Sequence, residues 1–511
     1  MILHIIKREL FDHINSLRFV LTTVILLVLM FTNAWVHIKT HPENVRRYSN
    51  NITRNLDQLK DRAELYTLIR KGPGNLYKSP ASLSFIADGD DAYLPSNIYS
   101  PGSWSKSGFG GRVRSNWWIS YGSVNPDAKD LRPQATKIDW VFIITYLLSL
   151  IPLLFTFDSF SGERERGTLR LCLANPISRP TLLAGKFLGT LIAILIPFVF
   201  AVLVNLAVIS TDSWTQLSTM DWGRLGIILL IAVSYAGIFI GLGLMISAGT
   251  REPRLSLIVV LLIWVTAVVF VPSTLGTLST KWMPPLQTND QFQAEKKLAI
   301  DENNTDYDEQ IKKVKEKKLS GAQSKLQQLA KMPRENVSPE DIKAAQEEYN
   351  SVWQKDGNEE LQIKSEFIKK DVEIRERFNR SHLDAQTAQI QSARAATRFS
   401  PAAIVQYALE SMAGTGFNRH LQFLDNVHLY KKQFRQFIVD IDRTDNQSLH
   451  LIGIPEGMSK KTVTIEAIPK FEDKITFKDT FNSATLDLLL LVLLLVVFFS
   501  GAFLVFLRTE V

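Results

Sequence analysis

The stretch SGERERGTLR, Ser161–Arg170, places five charged side chains in ten residues. It lies between two apolar runs, 139–157 and 182–210. Each run is long enough to cross a bilayer, which takes roughly 20 residues. Charge held between two such runs reads as a polar connector between membrane spans, and this sets the fold class. The chain is expected to be an all-α membrane protein with six transmembrane helices. An N-terminal interfacial helix and a large, mainly helical extracytoplasmic domain with a small β element complete it.

Working outward, residues 222–248 and 255–275 are the fourth and fifth spans, joined by the basic turn Gly249-Thr250-Arg251-Glu252-Pro253-Arg254. Residues 484–507 are the sixth span and 19–38 the first. Pro152 and Pro197 sit inside the second and third spans, and Pro152 predicts a kink. Upstream, Ile2, Ile5, Ile6, Leu10, Ile14 and Leu17 recur at helical spacing with Lys7, Arg8 and Arg18 beside them. Residues 1–18 therefore read as an amphipathic helix lying in the membrane interface. The alternative, the basic region of a signal peptide, is opposed by a following run long enough to span and by the lack of a small-x-small cleavage site.

The chain has 511 residues, 46% of them hydrophobic, and a net charge of +7. The charge lies between apolar blocks. That pattern fits Lys/Arg-rich membrane edges, and no aromatic-interleaved basic patch marks a nucleic-acid partner. A single cysteine, Cys172, excludes an intramolecular disulfide. Eight histidines are scattered and include no His-Glu-x-x-His motif. No Gly-x-Ser-x-Gly elbow or other catalytic constellation is present, so no catalytic residue and no metal site are expected.

Two polar regions interrupt the spans. In 39–138, Val45, Tyr48, Ile52, Leu56, Leu59, Ala63 and Tyr66 predict a helix of its own after the first span. Lys71-Gly72-Pro73-Gly74 stops it, and the segment 78–89 returns towards the membrane. Residues 100–118, rich in Gly, Ser and Trp, read as loop. In 279–482, Ile311, Val314, Ala322, Leu326 and Leu329 mark one long helix. A turn at Met332-Pro333 and Ser338-Pro339 leads to a return helix, interrupted near Gly357. Arms of about 40 residues would reach roughly 60 Å. Beyond it, Gly414-Thr415-Gly416 ends an apolar helix opened by Ser400-Pro401. Residues 417–441 form an amphipathic helix that lies on the outer membrane surface, roofs a cavity or belongs to a domain core. Alternation at Val463, Ile465 and Ala467 predicts a short strand pair within 462–477.

Six spans put both termini on one side. That side carries Lys7, Arg8, Arg18, Arg164, Arg166, Arg170, Arg179, Lys186, Arg251, Arg254 and Arg508. The short loop 211–221 opposite has no Lys or Arg. The positive-inside rule makes the first side cytoplasmic, in a multi-pass protein of the cell (inner) membrane. The region 158–181 is then a cytoplasmic element strung between two spans. Asn175-Pro176 breaks it, and Ser178 with Pro180 starts the next helix. Its plain reading is a charged loop. Its sharper reading is a short helix that carries force from a soluble partner into both spans. The nearest approach to a phosphate-binding loop, Pro180-x-x-x-x-Gly185-Lys186-Phe187, lacks the first glycine and the final hydroxyl. That stretch could neither wrap phosphates nor hold magnesium. Gly237-x-x-x-Gly241 in the fourth span suits close helix packing. Asp158 and Asp487, near span ends, are candidate intramembrane functional groups, with interface placement as the plainer reading.

Residues 157–189 resemble the signature after the second span of permeases from the type-2 ATP-binding-cassette (ABC) exporter family. The interfacial helix and six-span plan agree with this. Residues 78–88, Leu94-Pro95 and 399–416 resemble a subgroup with large extracytoplasmic loops; residues 290–394 are poorly covered. The resemblance implies a homodimer and two copies of a separate ABC ATPase, which would bind ATP and Mg, so this chain needs no cofactor. It further implies that Glu163, Arg164, Glu165, Arg166, Gly167, Thr168 and Leu169 contact or couple to that ATPase. Two functions remain open at this point: export or extraction of a substrate, and mechanical transduction to a periplasmic or envelope partner through the outside hairpin.

Overall fold

Six helices among the described residues are long and apolar enough to cross a membrane. The computed structural model describes residues 2–89, 94–98, 117–119, 138–174, 177–282, 287–331 and 339–508. The loop expected at 100–118 falls almost wholly outside these residues, as do the break at Asn175-Pro176 and the turn at Met332-Pro333.

Helix α1 (Ile2–Ile14) is followed by α2 (Leu17–Lys60), whose start is capped by the Ser16 hydroxyl accepting from the Phe19 amide. A short α3 (Leu65–Lys71) ends at Gly72, whose φ of 68° suits glycine. Strands β1 (Leu76–Tyr77) and β2 (Asn97–Ile98) pair antiparallel, Leu76 opposite Ile98. The second span comprises α4 (Trp140–Phe142), a π-helical turn (Ile143–Leu147) and α5 (Leu148–Thr156). Two short helices follow, α6 (Ser161–Glu165) and α7 (Thr168–Ala174), then the spans α8 (Arg179–Ile209) and α9 (Thr219–Gly249). A capping box between Ser218 and Asp221 starts α9. The fifth span is α10 (Pro253–Trp264), a π-helical turn (Val265–Phe270) and α11 (Val271–Trp282). Then come α12 (Asn289–Lys331), α13 (Pro339–Thr397), α14 (Pro401–Ala413), α15 (Gly416–Arg443) and the last span, α16 (Phe477–Arg508).

In the bundle α16 and α5 lie along α9, while α1 and α2 lie along α8. At the bundle end that carries the hairpin, buried polar groups join three spans. Asn205 of α8 donates to the Met30 carbonyl (2.6 Å) and to Asn33 (2.9 Å), and accepts from the Trp140 indole (3.2 Å). Asn33 donates to the carbonyls of Phe85 and Ile138. Each buried polar atom thereby has a partner, as an apolar medium requires. Leu83, Phe85, Ile86 and Ala87 join the bundle core, so the segment 78–89 does return to the membrane end.

Helices α12 and α13 form an antiparallel hairpin. Its register is shown by Phe292 on His382 (4.4 Å), Lys296 to Asn379 (2.7 Å) and Lys370 to Asp306 (2.9 Å). All thirteen residues of α14 are buried. It wedges between α16 and α9, and its end is closed by Gly414 in the left-handed region (φ 72°). Phe423, Leu424, Val427, Tyr430 and Phe434 of α15 build a second core with Leu65, Leu68 and Trp117. Residues 417–441 therefore belong to a domain core.

Three local expectations are corrected. The helix at 45–66 is not separate, because α2 runs unbroken to Lys60; Pro42 removes one hydrogen bond without ending it. Nor is α13 interrupted at Gly357. No strand pair forms within 462–477. The backbone of this segment instead meets the α2–α3 connection, Val463 donating to the Ala63 carbonyl and Leu65 to that of Lys461, before turning at Thr464–Ile468. The small β element is β1–β2.

Candidate functional site: the junction between the second and third spans

Gly167, φ 71°, divides the charged stretch into α6 and α7. The expected single helix is thus two short ones with a glycine hinge. The third, fourth and fifth spans meet α6, and α1 is tied to it through Lys186. The amides of Phe160 and Ser161, at its N-terminal end, donate to the Ser247 hydroxyl of α9 at 3.0 and 3.2 Å. These are orphan donors of a helix start, satisfied here by a neighbouring span. Arg164 donates to the Thr250 and Ala248 carbonyls at 2.8 and 3.1 Å, placing a cation at the C-terminal end of α9. Phe160 stacks on Phe506 of α16 (4.4 Å). Arg179 reaches the carbonyls of Phe506 and Leu507, the corresponding arrangement at the end of α16.

At the centre is Lys186 of α8, 2% exposed. Its ammonium donates to Glu9 Oε1 of α1 (2.7 Å) and Glu163 Oε1 of α6 (2.9 Å). A buried lysine requires such partners, since its charge is costly to take out of water. Helix α1 lies close against α8 because of two glycines. A Cβ at Gly185 would stand 2.6 Å from Ile5, and one at Gly189 2.8 Å from Glu9. One turn on, Arg18 makes a two-pronged ion pair with Asp158, at 3.2 and 3.0 Å, and donates to the Leu154 carbonyl. Asp158 is therefore a strut between α2 and the end of the second span.

The seven residues singled out in the sequence divide by direction. Glu163 and Arg164 turn inward to Lys186 and to α9. Leu169 is fully buried, and the Thr168 hydroxyl donates to the Glu163 carbonyl. Glu165, Arg166 and Gly167 are exposed, and with Arg170 and Leu171 they make an outward face. Gly237 and Gly241 lie elsewhere, against α16; a Cβ at Gly237 would meet Leu495 at 2.9 Å, and one at Gly241 the Phe498 backbone at 3.2 Å. Asp487, fully buried, pairs with Arg398 at the foot of the hairpin. Among the described residues no group of three or more His, Cys, Asp or Glu is placed to hold a metal ion.

Sequence reasoning passed over Glu9, Gly185, Gly189 and the role of Lys186. The signal was present: a lysine and a Gly-x-x-x-Gly pair in one apolar run. A side chain larger than alanine at Gly185 should push α1 off α8. We expect Gly185→Val to lower stability by about 1–3 kcal/mol, read as the shift in thermal unfolding of the detergent-solubilised protein. An unchanged transition would mean that α1 does not seat there.

The fold and this junction define a multi-pass, all-α membrane protein with an interfacial helix keyed into its third span. Residues 3–511 match the family described as ABC-2 family transporter protein, and the chain belongs to it. Shorter stretches are similar to two probable ABC transporter permease proteins NosY. One, from Pseudomonas aeruginosa, is 43% identical over 79 residues, 15% of this chain and 29% of that protein. The other, from Stutzerimonas stutzeri, is 44% identical over 55 residues, 11% of this chain and 20% of that protein. The matched stretches thus span less than a third of either relative.

Proposed function

We propose that the chain is the membrane subunit of an ATP-driven exporter, working as a homodimer with two copies of a separate ABC ATPase. The ATPase binds at the face formed by Glu165, Arg166, Gly167, Arg170 and Leu171. On this reading the α1/α6 end is cytoplasmic and the hairpin extracytoplasmic, in the inner membrane. The observation that carries it is the Lys186 node. A push on α6 is felt directly at Glu163, and Lys186 passes it to the third span and to α1. A charged connector with no wider role would not need a buried ammonium shared with the interfacial helix. Glu163 and Arg164 are assigned as transmitters, and the exposed residues as contacts.

Reversing the exposed charges, Glu165→Arg with Arg170→Glu, should weaken co-purification of the ATPase about tenfold or more. The thermal transition of the permease should not move. Full ATPase recovery with this double variant would remove the docking assignment.

One feature favours a second reading, in which motion passes to an envelope partner without a transported solute. The foot of the hairpin is fastened to two spans: Arg398 to Asp487 of α16 (2.6 Å), and the Ser400 hydroxyl to the Ala267 carbonyl in the π-helical turn of the fifth span (2.6 Å). Shortening the hairpin by removing 300–375 separates the two. Export should survive the deletion if the hairpin is an accessory, and all output should fail if it is the lever.

A further inference from the structure

The second and fifth spans each contain one π-helical turn, and the fifth-span turn has a cause in the sequence. The Val271 amide donates to the Thr266 carbonyl, five residues back. At that spacing the donor to the Ala267 carbonyl would be residue 272, a proline, which has no N–H. At the α-helical spacing it would be Val271, already spent on Thr266. The Ala267 carbonyl is thus left without a backbone donor at either spacing. Inside an apolar bundle such a group must be satisfied from elsewhere in the protein. The donor is the Ser400 hydroxyl, fully buried and 2.6 Å away. Ser400 is also the N-cap of α14, its hydroxyl oxygen accepting from the Ala402 amide. One hydroxyl therefore starts α14 and closes the gap that Pro272 opens in the fifth span.

The second-span turn is tied to this one. Trp264, the residue before the fifth-span turn, donates its indole N–H to the Ser149 hydroxyl of α5 at 2.9 Å. Ser149 shares its own proton between the carbonyls of Thr145 (2.6 Å) and Tyr146 (3.0 Å), both in the second-span turn. The Thr145 carbonyl also accepts from the Tyr235 hydroxyl of α9 (3.0 Å). Helix α14 packs against both turns. A line of contacts therefore runs from the hairpin foot through Ala267, Trp264 and Ser149 to Thr145. Spanning a bilayer needs neither turn, because an unbroken α-helix satisfies every backbone group by itself. Single π-helical turns are points where a long helix bends, and here two are joined side by side.

We propose that the two π-helical turns form one joint, with Ser400 and Trp264 as its positioning residues, through which displacement of the hairpin foot is passed to the second span. Pro272 opens the fifth-span turn, Ser400 fixes it, and Trp264 carries its state to the second-span turn. The second span leads into α6, so the joint links the foot of the hairpin to the connector at the other end of the bundle. The joint stands on these contacts; that the motion it passes is driven by an ATPase at α6 rests on the reading above.

The test is hydrogen exchange on the full chain in detergent, without the ATPase, with thermal unfolding confirming that each variant folds. Ser400→Gly removes the donor, while glycine still serves as an N-cap. Amides in 266–271 should exchange about fivefold faster, the size of one hydrogen bond, and those in 143–149 at least about twofold faster. Ser400→Thr keeps the hydroxyl and should change neither set. Trp264→Phe keeps an aromatic ring and removes the N–H. In that background Ser400→Gly should still loosen 266–271 and no longer reach 143–149. Pro272→Ala supplies the missing amide, and adding it to Ser400→Gly should return both sets to within about twofold of the wild type. Unchanged exchange at 266–271 in Ser400→Gly, a change confined to the fifth span, transmission that survives Trp264→Phe, or no rescue by Pro272→Ala would each overturn the proposal. If Ser400→Gly does not fold, Trp264→Phe alone decides: 143–149 should loosen while 398–402 keeps its protection, and unchanged exchange at 143–149 overturns the joint. Coupled exchange in Ser400→Gly together with full ATP-driven output in the assembled complex would leave the joint standing and count against its use by the ATPase.

Discussion

Replacing Lys186 by Ala should be among the most damaging single changes in this protein. The ammonium is buried between Glu9 and Glu163, so its loss leaves two carboxylates facing each other with no cation between them. Removing one partner from a buried ionic cluster costs about 3–5 kcal/mol. The expected result is a large fall in the thermal transition, with α1 released from α8. A triple replacement, Glu9→Gln, Glu163→Gln and Lys186→Met, removes all three charges with little change in volume and should restore most of the stability. If the node transmits motion, this variant will fold and hold the ATPase yet lose ATP-driven output. If it works at full rate, the three residues serve only to fasten α1.

The second large effect is expected at the foot of the hairpin. Asp487 is fully buried in α16, and Arg398 supplies two donors to it, at 2.6 and 3.1 Å. Arg398 also lies over the Tyr407 ring of α14, 5.5 Å from its centroid. Arg398→Ala leaves a carboxylate without its cation and should destabilise by about 3–5 kcal/mol. Arg398→Met with Asp487→Leu should recover the fold. Hydrogen exchange would locate the change: in the single variant the amides at the α13–α14 junction should lose protection, while the α12–α13 pairing near Phe292 and His382 keeps its own. Loss of protection along the whole hairpin would mean that it has no stability apart from the bundle.

Asp487 shows why part of the site was hidden. In the sequence it is an acidic residue at the edge of an apolar run, a position shared by transport groups and by simple anchors. Its partner is 89 residues away. Likewise Lys186 stood beside a failed phosphate loop, and its partners Glu9 and Glu163 lie 177 and 23 residues from it. Pairs of that separation leave no periodic trace. Glu163 and Glu165 look equivalent in the sequence, two residues apart in one charged run. On a helix such a spacing places them on different faces, and only the neighbours decide which face is inside.

The α2 helix makes the same point for secondary structure. The polar stretch after residue 38 was read as carrying a separate helix, yet α2 runs on through Pro42 to Lys60. In 462–477 the alternation was real, but the partner backbone lay at Ala63–Leu65, out of reach of local reasoning.

The sequence by itself determined the membrane plan. Six apolar runs of spanning length, the charged connector after the second and the amphipathic start are set by the bilayer's demand for internally bonded apolar segments, which is read locally. It also shows that the pattern Gly-x-x-x-x-Gly-Lys-Ser/Thr is not completed at 180–187. Tertiary structure alone decided the direction of each side chain in Ser161–Arg170, the seating of α1 on Gly185 and Gly189, and the burial of Lys186. It likewise decided the fastening of the hairpin to α16. These depend on which helices become neighbours, and a neighbour is fixed by packing across the whole bundle.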